Sequence, residues 1–169
     1  MLAPDGNTSL HVLDVASGVH RPLVDSPAHE SFGVVSPNEQ WLAYQSDVTG
    51  QPEIYVETFP RTGQWWRIST EGGLQPRWHP KGRELFYLAP DRRLMSTQVG
   101  AATTAFEWEA PRALFQTAIV DVGAYWGSQT YAVAPDGRFL VLTLRSQGSS
   151  PAVAMMNWTS HLSEKRPVP

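Results

Sequence analysis

The five histidines are the side chains of this 169-residue sequence best suited to metal binding or acid–base catalysis at neutral pH. His11, His20 and His29 are nine residues apart, a spacing that places no two of them on one face of a helix. The His-x-His, His-x-x-x-His and His-Glu-x-x-His patterns of zinc sites are absent, and the sequence has no Cys. We therefore predict no metal site, no cofactor and no Cys nucleophile.

Carboxylates and hydroxyls form no catalytic pattern either. Glu107 and Glu109 flank Trp108 and would share one face of an extended segment, but solvated loop charges explain them without a glycosidase mechanism. The Asp-Gly turns offer too few oxygen ligands for a calcium loop. The sequence contains no Gly-x-Ser-x-Gly nucleophile elbow, no Asp-Phe-Gly and no Gly-rich phosphate loop. We therefore expect that this chain is not an enzyme.

Aromatic side chains point to binding instead. The sequence has 7 Trp, 6 Phe and 5 Tyr, several of which fall in apolar strands where we expect them in the core. Others lie outside the apolar strand pattern, and exposed aromatics are enriched at protein interfaces. The candidate partner-binding residues are Trp65, Trp66, Trp108, Tyr125 and Trp126. Trp66 has an alternative place, at an inward position of a strand.

Composition narrows the class of partner. Acidic residues outnumber basic ones by 16 to 13, for a formal charge of −3, so the basic surface typical of nucleic-acid-binding proteins is missing. The longest apolar runs, such as 85–89, fall far short of the roughly 20 residues of a transmembrane helix, and the first residues have no export signal. We expect a protein or peptide partner, no nucleic acid and no membrane insertion, and the compartment stays open.

Three similar segments, 36–44, 79–87 and 134–142, supply elements that position these side chains. In each, the second residue is Pro, a turn follows, and an apolar strand ends the segment. The three prolines are 43 and 55 residues apart, a period typical of propeller blades. Glu39 occupies the turn position that is Gly in the other two copies, so we expect its turn to be built differently.

The strands after these turns, such as 139–144, are apolar at consecutive positions, which is typical of strands covered on both faces. A parallel sheet would need crossover helices, but Gly and Pro interrupt nearly every gap. Four antiparallel strands per repeat, with each sheet packed between its neighbours, fit both the period and the double burial. We therefore predict an all-β fold, a partial β-propeller of about three and a half blades. The predicted units are an incomplete blade at 1–28, a blade at 29–72, a blade at 73–120 with an enlarged loop at 100–111, a last blade at 121–158 and a tail at 159–169.

The segment 36–46, a Ser-Pro turn followed by a short apolar strand ending in Tyr-Gln-Ser, resembles the TolB-like, WD-like propeller repeats of bacteria. Segments 50–87 and 157–162 most resemble the propeller that follows the kinase domain in bacterial eukaryotic-like serine/threonine kinases. The resemblance extends over nearly all of the sequence from Leu10 onward.

This resemblance implies a non-catalytic module that binds a protein, a peptide or a small ligand. An alternative is a regulatory propeller from such a kinase, or from a prolyl-oligopeptidase-type serine peptidase, whose catalytic domain is absent from this sequence. A periplasmic location is compatible with the resemblance. The incomplete ring could be completed by a second copy of the chain, or it could close alone as four blades.

In propellers the first strand of each blade lines the central channel. Polar residues of these strands are therefore candidate funnel-lining groups, which are Glu30, Gln75, Arg77 and Gln129.

Overall fold

The structure of the chain, a computed structural model, describes residues 7–100, 105–119 and 129–143. In these three ranges the regular structure consists of twelve β-strands, and neighbouring strands of each sheet are antiparallel. The predicted all-β fold is confirmed. Tyr125, Trp126 and the tail at 159–169 lie outside the described residues, as do parts of the enlarged loop and of the last predicted blade.

Two central sheets have four strands each and are meanders, in which sequential strands pair side by side. They are flanked in sequence by two-stranded sheets. The first pair is β1 (Leu10–Leu13) and β2 (His20–Val24). The first central sheet contains β3 (Glu30–Val35), β4 (Trp41–Ser46), β5 (Glu53–Thr58) and β6 (Trp65–Arg67). The second contains β7 (Leu74–Trp78), β8 (Glu84–Leu88), β9 (Arg93–Gln98) and β10 (Arg112–Gln116). The last pair is β11 (Tyr131–Val133) and β12 (Phe139–Val141).

The second strand of each central sheet is covered on both faces, as its consecutive apolar residues predict. On β4, Leu42 and Tyr44 pack with Val24, the last residue of β2, whereas Trp41 and Ala43 belong to the cluster shared with the next sheet. Successive side chains of a strand point to opposite faces, so one strand can contribute to two cores. Full burial of a side chain such as that of Leu42 contributes about 1.5–3 kcal/mol.

Strand β8 repeats this arrangement one sheet later. Leu85 and Tyr87 face the first central sheet, while Phe86 and Leu88 pack with Phe139 of β12. The described sheets are thus stacked face to face, with an apolar cluster in each gap between consecutive sheets.

The three proline turns share one backbone geometry. Gly82 and Gly137 have φ values of 72° and 83°, and Glu39 has a φ of 58°. In each turn the backbone N–H of this residue donates to the carbonyl three residues earlier, over 2.7–3.0 Å. The expectation that Glu39 requires a differently built turn is therefore wrong. Glu39 adopts the left-handed conformation that favours glycine, at a cost of about 1 kcal/mol.

The first strands of the two central sheets carry the same irregularity. Phe32 in β3 and Gln75 in β7 both have a φ of 55°, and the pairing register with the second strand slips at each of these points. Such a bulge bends a strand and redirects its side chains. In β7 it directs Gln75 into contacts with both neighbouring sheets.

Gln75 is 1% exposed and links three sheets by hydrogen bonds. Its backbone N–H donates to Oε1 of Gln45 on β4, over 3.3 Å. Its own Oε1 accepts from the backbone N–H and the hydroxyl of Thr130, at 2.9 and 2.8 Å. The Tyr131 hydroxyl donates to the Gln75 carbonyl, over 2.8 Å. Because buried polar groups must be paired, these bonds fix the alignment of neighbouring sheets.

Candidate functional site

Three aromatic rings form a continuous surface on one face of the first central sheet. Tyr44 and Tyr55 lie directly opposite each other on β4 and β5, and their ring centroids are 5.8 Å apart. Trp65 on β6 contacts Tyr55 edge to face, also at 5.8 Å. Tyr44 and Tyr55 are buried, whereas Trp65 is 59% exposed. The surface therefore runs from the core out to solvent.

These rings line a cavity of about 380 Å³ between the end of β2 and the first central sheet. We call it the Glu30 cavity. Residues 24–26 form the wall of the cavity nearest β2, and Glu30 lines the cavity from β3. Arg61 and Arg67 also line the cavity. Pockets of this size with apolar walls and a few polar groups are typical of ligand sites.

Glu30 is the unusual residue of this cavity, because it is acidic and only 2% exposed. The Ser26 hydroxyl donates to Oε1, but Oε2 has no hydrogen-bond partner among the described residues. Burial raises the pKa of Glu30, and the negative charges of Asp25 and Asp47 contribute to the same effect. The cavity is thus lined by a buried carboxyl, one oxygen of which has no hydrogen-bond partner among the described residues.

A second acidic group lies on the same sheet and is already paired. Glu57 on β5 is 1% exposed, and its Oε1 forms an ion pair with Arg61 Nε at 2.7 Å. Arg61 also donates from Nη1 to the carbonyl of Leu23, over 2.8 Å. Burial raises the pKa of Glu57, and Arg61 opposes this rise. Burial and the nearby Glu57 charge also raise the pKa of Tyr44.

The gap between the two central sheets contains a cavity of about 570 Å³, which we call the Trp108 cavity. Tyr87 lines it and lies opposite Met95, as Tyr44 lies opposite Tyr55 in the preceding sheet. Burial raises the pKa of Tyr87 to about 12. The two cavities therefore occupy equivalent positions in successive repeats, with Met95 in place of a tyrosine.

The structure distributes the predicted partner-binding aromatics among different environments. Trp65 lines the Glu30 cavity, and Trp108, which is 38% exposed, lines the Trp108 cavity. Trp66 is half-buried and packs edge to face on Trp41, at the inward position that was its alternative place. A partner-binding role for any of these residues stays a prediction.

The four candidate funnel-lining residues also differ in environment. Glu30 and Gln75 are buried, and Gln129 is exposed. Arg77 is half-buried, its Nη1 donates to the Pro76 carbonyl over 3.1 Å, and burial lowers its pKa. Gln75 is hydrogen-bonded to Thr130, and Glu30 faces the cavity described above. A channel-lining role stays a prediction for all four.

Sequence reasoning missed several members of the Glu30 cavity. Tyr44, Tyr55 and Arg61 line it but are not among the candidate site residues predicted from the sequence. The signal lies in the register, because a tyrosine of β4 opposite a tyrosine of β5 predicts stacked rings on one face. Sequence reasoning also missed the contact between His11 and His20, whose Nδ1 atoms are 3.2 Å apart across β1 and β2.

Metal-binding clusters and membrane-spanning helices are both absent from residues 7–100, 105–119 and 129–143. No group of three or more His, Asp or Glu side chains there is arranged to hold a metal ion. The same ranges contain no helix long and apolar enough to cross a membrane.

Comparisons with known proteins bear on the fold. No family model matches the chain, and no curated protein matches it. Among solved structures, TolB from Acinetobacter baumannii aligns with a TM-score of 0.51 and 20% identity, over 79% of this chain and 32% of that one. A putative TolB from Agrobacterium tumefaciens gives 0.47 and 19%, over 59% and 40%. An oligogalacturonate lyase from Vibrio parahaemolyticus gives 0.48 and 16%, over 78% and 36%.

The chain spans less than half the length of each of these structures. At this level of identity the similarity concerns the fold alone, and the particular likeness to kinase-associated propellers stays a prediction. The four-stranded antiparallel sheets, stacked face to face, agree with the alignment to the Acinetobacter protein. The chain therefore has a TolB-like β-propeller fold, of which it contains part of a ring.

Proposed function

We propose that this chain is a non-catalytic β-propeller module that binds a protein segment, a peptide or a small ligand in the Glu30 cavity. The observation that carries the proposal is the aromatic surface of Tyr44, Tyr55 and Trp65, which leads from solvent inward to the core and lines the same cavity as the buried carboxyl of Glu30. Function in widely shared folds resides in individual sites, so the proposal rests on this cavity and not on the fold.

Trp65 is expected to dominate the affinity. A tryptophan side chain that is 59% exposed presents roughly 150 Å² to a ligand, and covering about 110 Å² of it contributes about 2.8 kcal/mol at about 25 cal/mol per Å². Its loss corresponds to an affinity about 100-fold lower. Tyr44 and Tyr55 lie behind it and keep the surface rigid, which reduces the entropy lost on binding.

The test uses the full chain labelled with 5-fluorotryptophan, whose seven ¹⁹F resonances are assigned by single Trp→Phe variants. A library of short peptides and metabolites is screened for compounds that shift the Trp65 resonance. We expect such compounds, and we expect Trp65→Ala to weaken them about 100-fold. Trp108→Ala, at the equivalent cavity, is the matched control and leaves binding unchanged. A library that leaves the Trp65 resonance unmoved would contradict the proposal.

We also propose that the module is the C-terminal sensor or scaffold portion of a larger bacterial protein, with a kinase or a serine peptidase as the alternative context. The short span of the chain relative to the solved structures supports this proposal. Sequencing the coding DNA on the 5′ side of the first codon tests it. An in-frame kinase or peptidase domain would support the regulatory alternative, and an in-frame stop codon without an intervening start would contradict both.

A second copy of the chain is a further proposed partner, because apolar side chains are exposed at the end of the described stack. Leu140 lies on β12, the last described strand, and is 75% exposed, and Leu142, just after that strand, is 61% exposed. In a closed propeller such a face is covered by the next blade. Light scattering of the purified chain should give twice the mass of the monomer, and Leu140→Ser with Leu142→Ser should restore the monomer. A wild-type monomer would overturn this part of the proposal.

A further inference from the structure

The Glu30 cavity has a polarity that indicates the charge of its ligand. Oε2 of Glu30 is buried and has no hydrogen-bond partner among the described residues, while Oε1 accepts from Ser26. Burying an ionised carboxylate without a compensating partner costs several kcal/mol of free energy. A ligand that brings both an N–H donor and a positive charge would remove this cost, whereas a neutral donor would remove only part of it.

We infer that the cavity binds a primary ammonium group on an unbranched alkyl chain, with the ammonium at Glu30 and the chain along the rings of Tyr44, Tyr55 and Trp65. This inference rests on the proposed binding function and specifies its ligand. Aromatic faces attract cations, and the same rings provide an apolar surface for methylene groups. A cavity of about 380 Å³ has room for such an arm and for water around it.

The other charged groups of the cavity are compatible with a cation at its inner end. Asp25 lines the cavity, and the charges of Asp25 and Asp47 both act on the Glu30 carboxyl, so the local potential is negative. Arg61 is engaged by Glu57 and by a backbone carbonyl. Arg67 is on β6, three strands away from β3, which at about 4.8 Å per strand is about 14 Å.

The groups that line the cavity favour an ammonium over a guanidinium or a metal ion. A guanidinium binds best to both oxygens of a carboxylate, but Ser26 already occupies one oxygen of Glu30. A metal ion would need several more ligands, and the described residues contain no group of three or more His, Asp or Glu that could supply them. An ammonium is a compact charge that one oxygen and the ring faces can hold.

The experiment uses the fluorotryptophan-labelled chain and three probes. Nα-acetyl-lysine N-methylamide represents a lysine side chain of a protein, and cadaverine represents a free amine. Nα,Nε-diacetyl-lysine N-methylamide keeps the alkyl arm but removes the charge. We expect the Trp65 resonance to shift with at least one of the two amines, and the diacetyl compound to bind at least tenfold more weakly. Binding of the lysine amide alone assigns the ligand to a protein, and binding of cadaverine alone assigns it to a small amine.

Two variants test the role assigned to Glu30. Glu30→Gln keeps the size of the side chain and an acceptor for Ser26, and should weaken amine binding at least tenfold. Glu53→Gln is the matched control: this buried carboxylate of the same sheet has both oxygens hydrogen-bonded, by Gln51, Ser69 and the N–H of Gly72, and it does not line the cavity. Its replacement should leave amine binding unchanged.

Three results would overturn the inference: no shift with either amine, equal binding of the diacetyl compound, or unchanged binding to Glu30→Gln. The comparison of charged and neutral probes uses the unmodified chain, so it remains decisive even if Glu30→Gln does not fold. If neutral or anionic compounds of the library shift Trp65 while the amines do not, the ligand class is wrong and the proposed binding function stands. If no compound shifts Trp65, both are wrong.

Discussion

Replacement of Gln75 by alanine should destabilise the whole chain, although Gln75 contributes little apolar surface. The substitution removes the oxygen that accepts from the backbone N–H and from the hydroxyl of Thr130, at 2.9 and 2.8 Å. Both Gln75 and Thr130 are buried, so water cannot easily replace the lost acceptor. The sheet that contains Gln75 would then lose two of its hydrogen bonds to the segment that begins the last pair of strands.

The expected cost follows from these two bonds. A buried donor left unpaired costs about 1–3 kcal/mol, and the second bond, from a hydroxyl that can rotate, adds about 1 kcal/mol. We therefore expect Gln75→Ala to lower the free energy of unfolding by about 2–4 kcal/mol. For a chain of this length, each kcal/mol corresponds to about 2–4 °C in Tm. The variant should melt about 4–16 °C below the wild type.

Urea unfolding followed by tryptophan fluorescence measures the effect, and two further variants separate its causes. Thr130→Val keeps the backbone donor and loses only the hydroxyl, so it should cost about 1 kcal/mol. Gln75→Gly loses the same bonds as alanine but relieves the φ of 55°, so it should be about 1 kcal/mol more stable than Gln75→Ala. A cost below 0.5 kcal/mol for Gln75→Ala, on the order of a neutral surface change, would refute this reasoning.

Three further predictions concern stability. Glu39→Gly should raise the free energy of unfolding by about 1 kcal/mol, because the φ of Glu39 is 58°. Gly82→Ala should lower it by at least as much, because the φ of Gly82 is 72°. Equal stability of the two variants in urea would refute the shared turn geometry. Phe106→Ala should cost about 3–5 kcal/mol, measured in the same way, since Phe106 is 5% exposed and lies among tryptophans. Burial raises the pKa of Glu30, so the folded state binds the carboxyl proton more tightly than the unfolded state does. The stability that this protonation contributes is therefore lost as pH rises through the pKa of the folded state. Calorimetry should therefore show that the Tm of Glu30→Gln rises relative to that of the wild type as pH increases from 4 to 7.5. A Tm difference that does not change with pH would contradict this prediction.

Much of the fold could be predicted because burial on two faces leaves a direct trace in sequence. The run of 41–44 is apolar at every position, and its residues do divide between two clusters. A period of 43 residues with a proline turn then indicates a blade. The error at Glu39 arose from treating a residue preference as a requirement, since the surrounding turn imposes a left-handed conformation despite its cost.

The two cavities could not be predicted from the sequence, because they form between sheets. Glu30 and Trp65 are at opposite edges of one sheet, and residues 24–26, at and just after the end of β2, help to enclose the space between them. Phe106 illustrates the same difficulty. It belongs to the enlarged loop that the repeat pattern sets aside, yet it returns to pack on Trp41 and Trp78 in the main core.

The two equivalent cavities show how one repeat fold can hold different sites. Tyr44 and Tyr87 occupy the same position in consecutive blades, and each lies opposite a β-strand residue that differs, Tyr55 in one blade and Met95 in the next. The backbone needs only an apolar residue at this position, because either side chain covers the core. The choice between a rigid aromatic ring and a flexible thioether therefore changes the ligand surface at little cost in stability. Variation at such positions alters one gap between blades without disturbing the next, since each gap has its own apolar cluster.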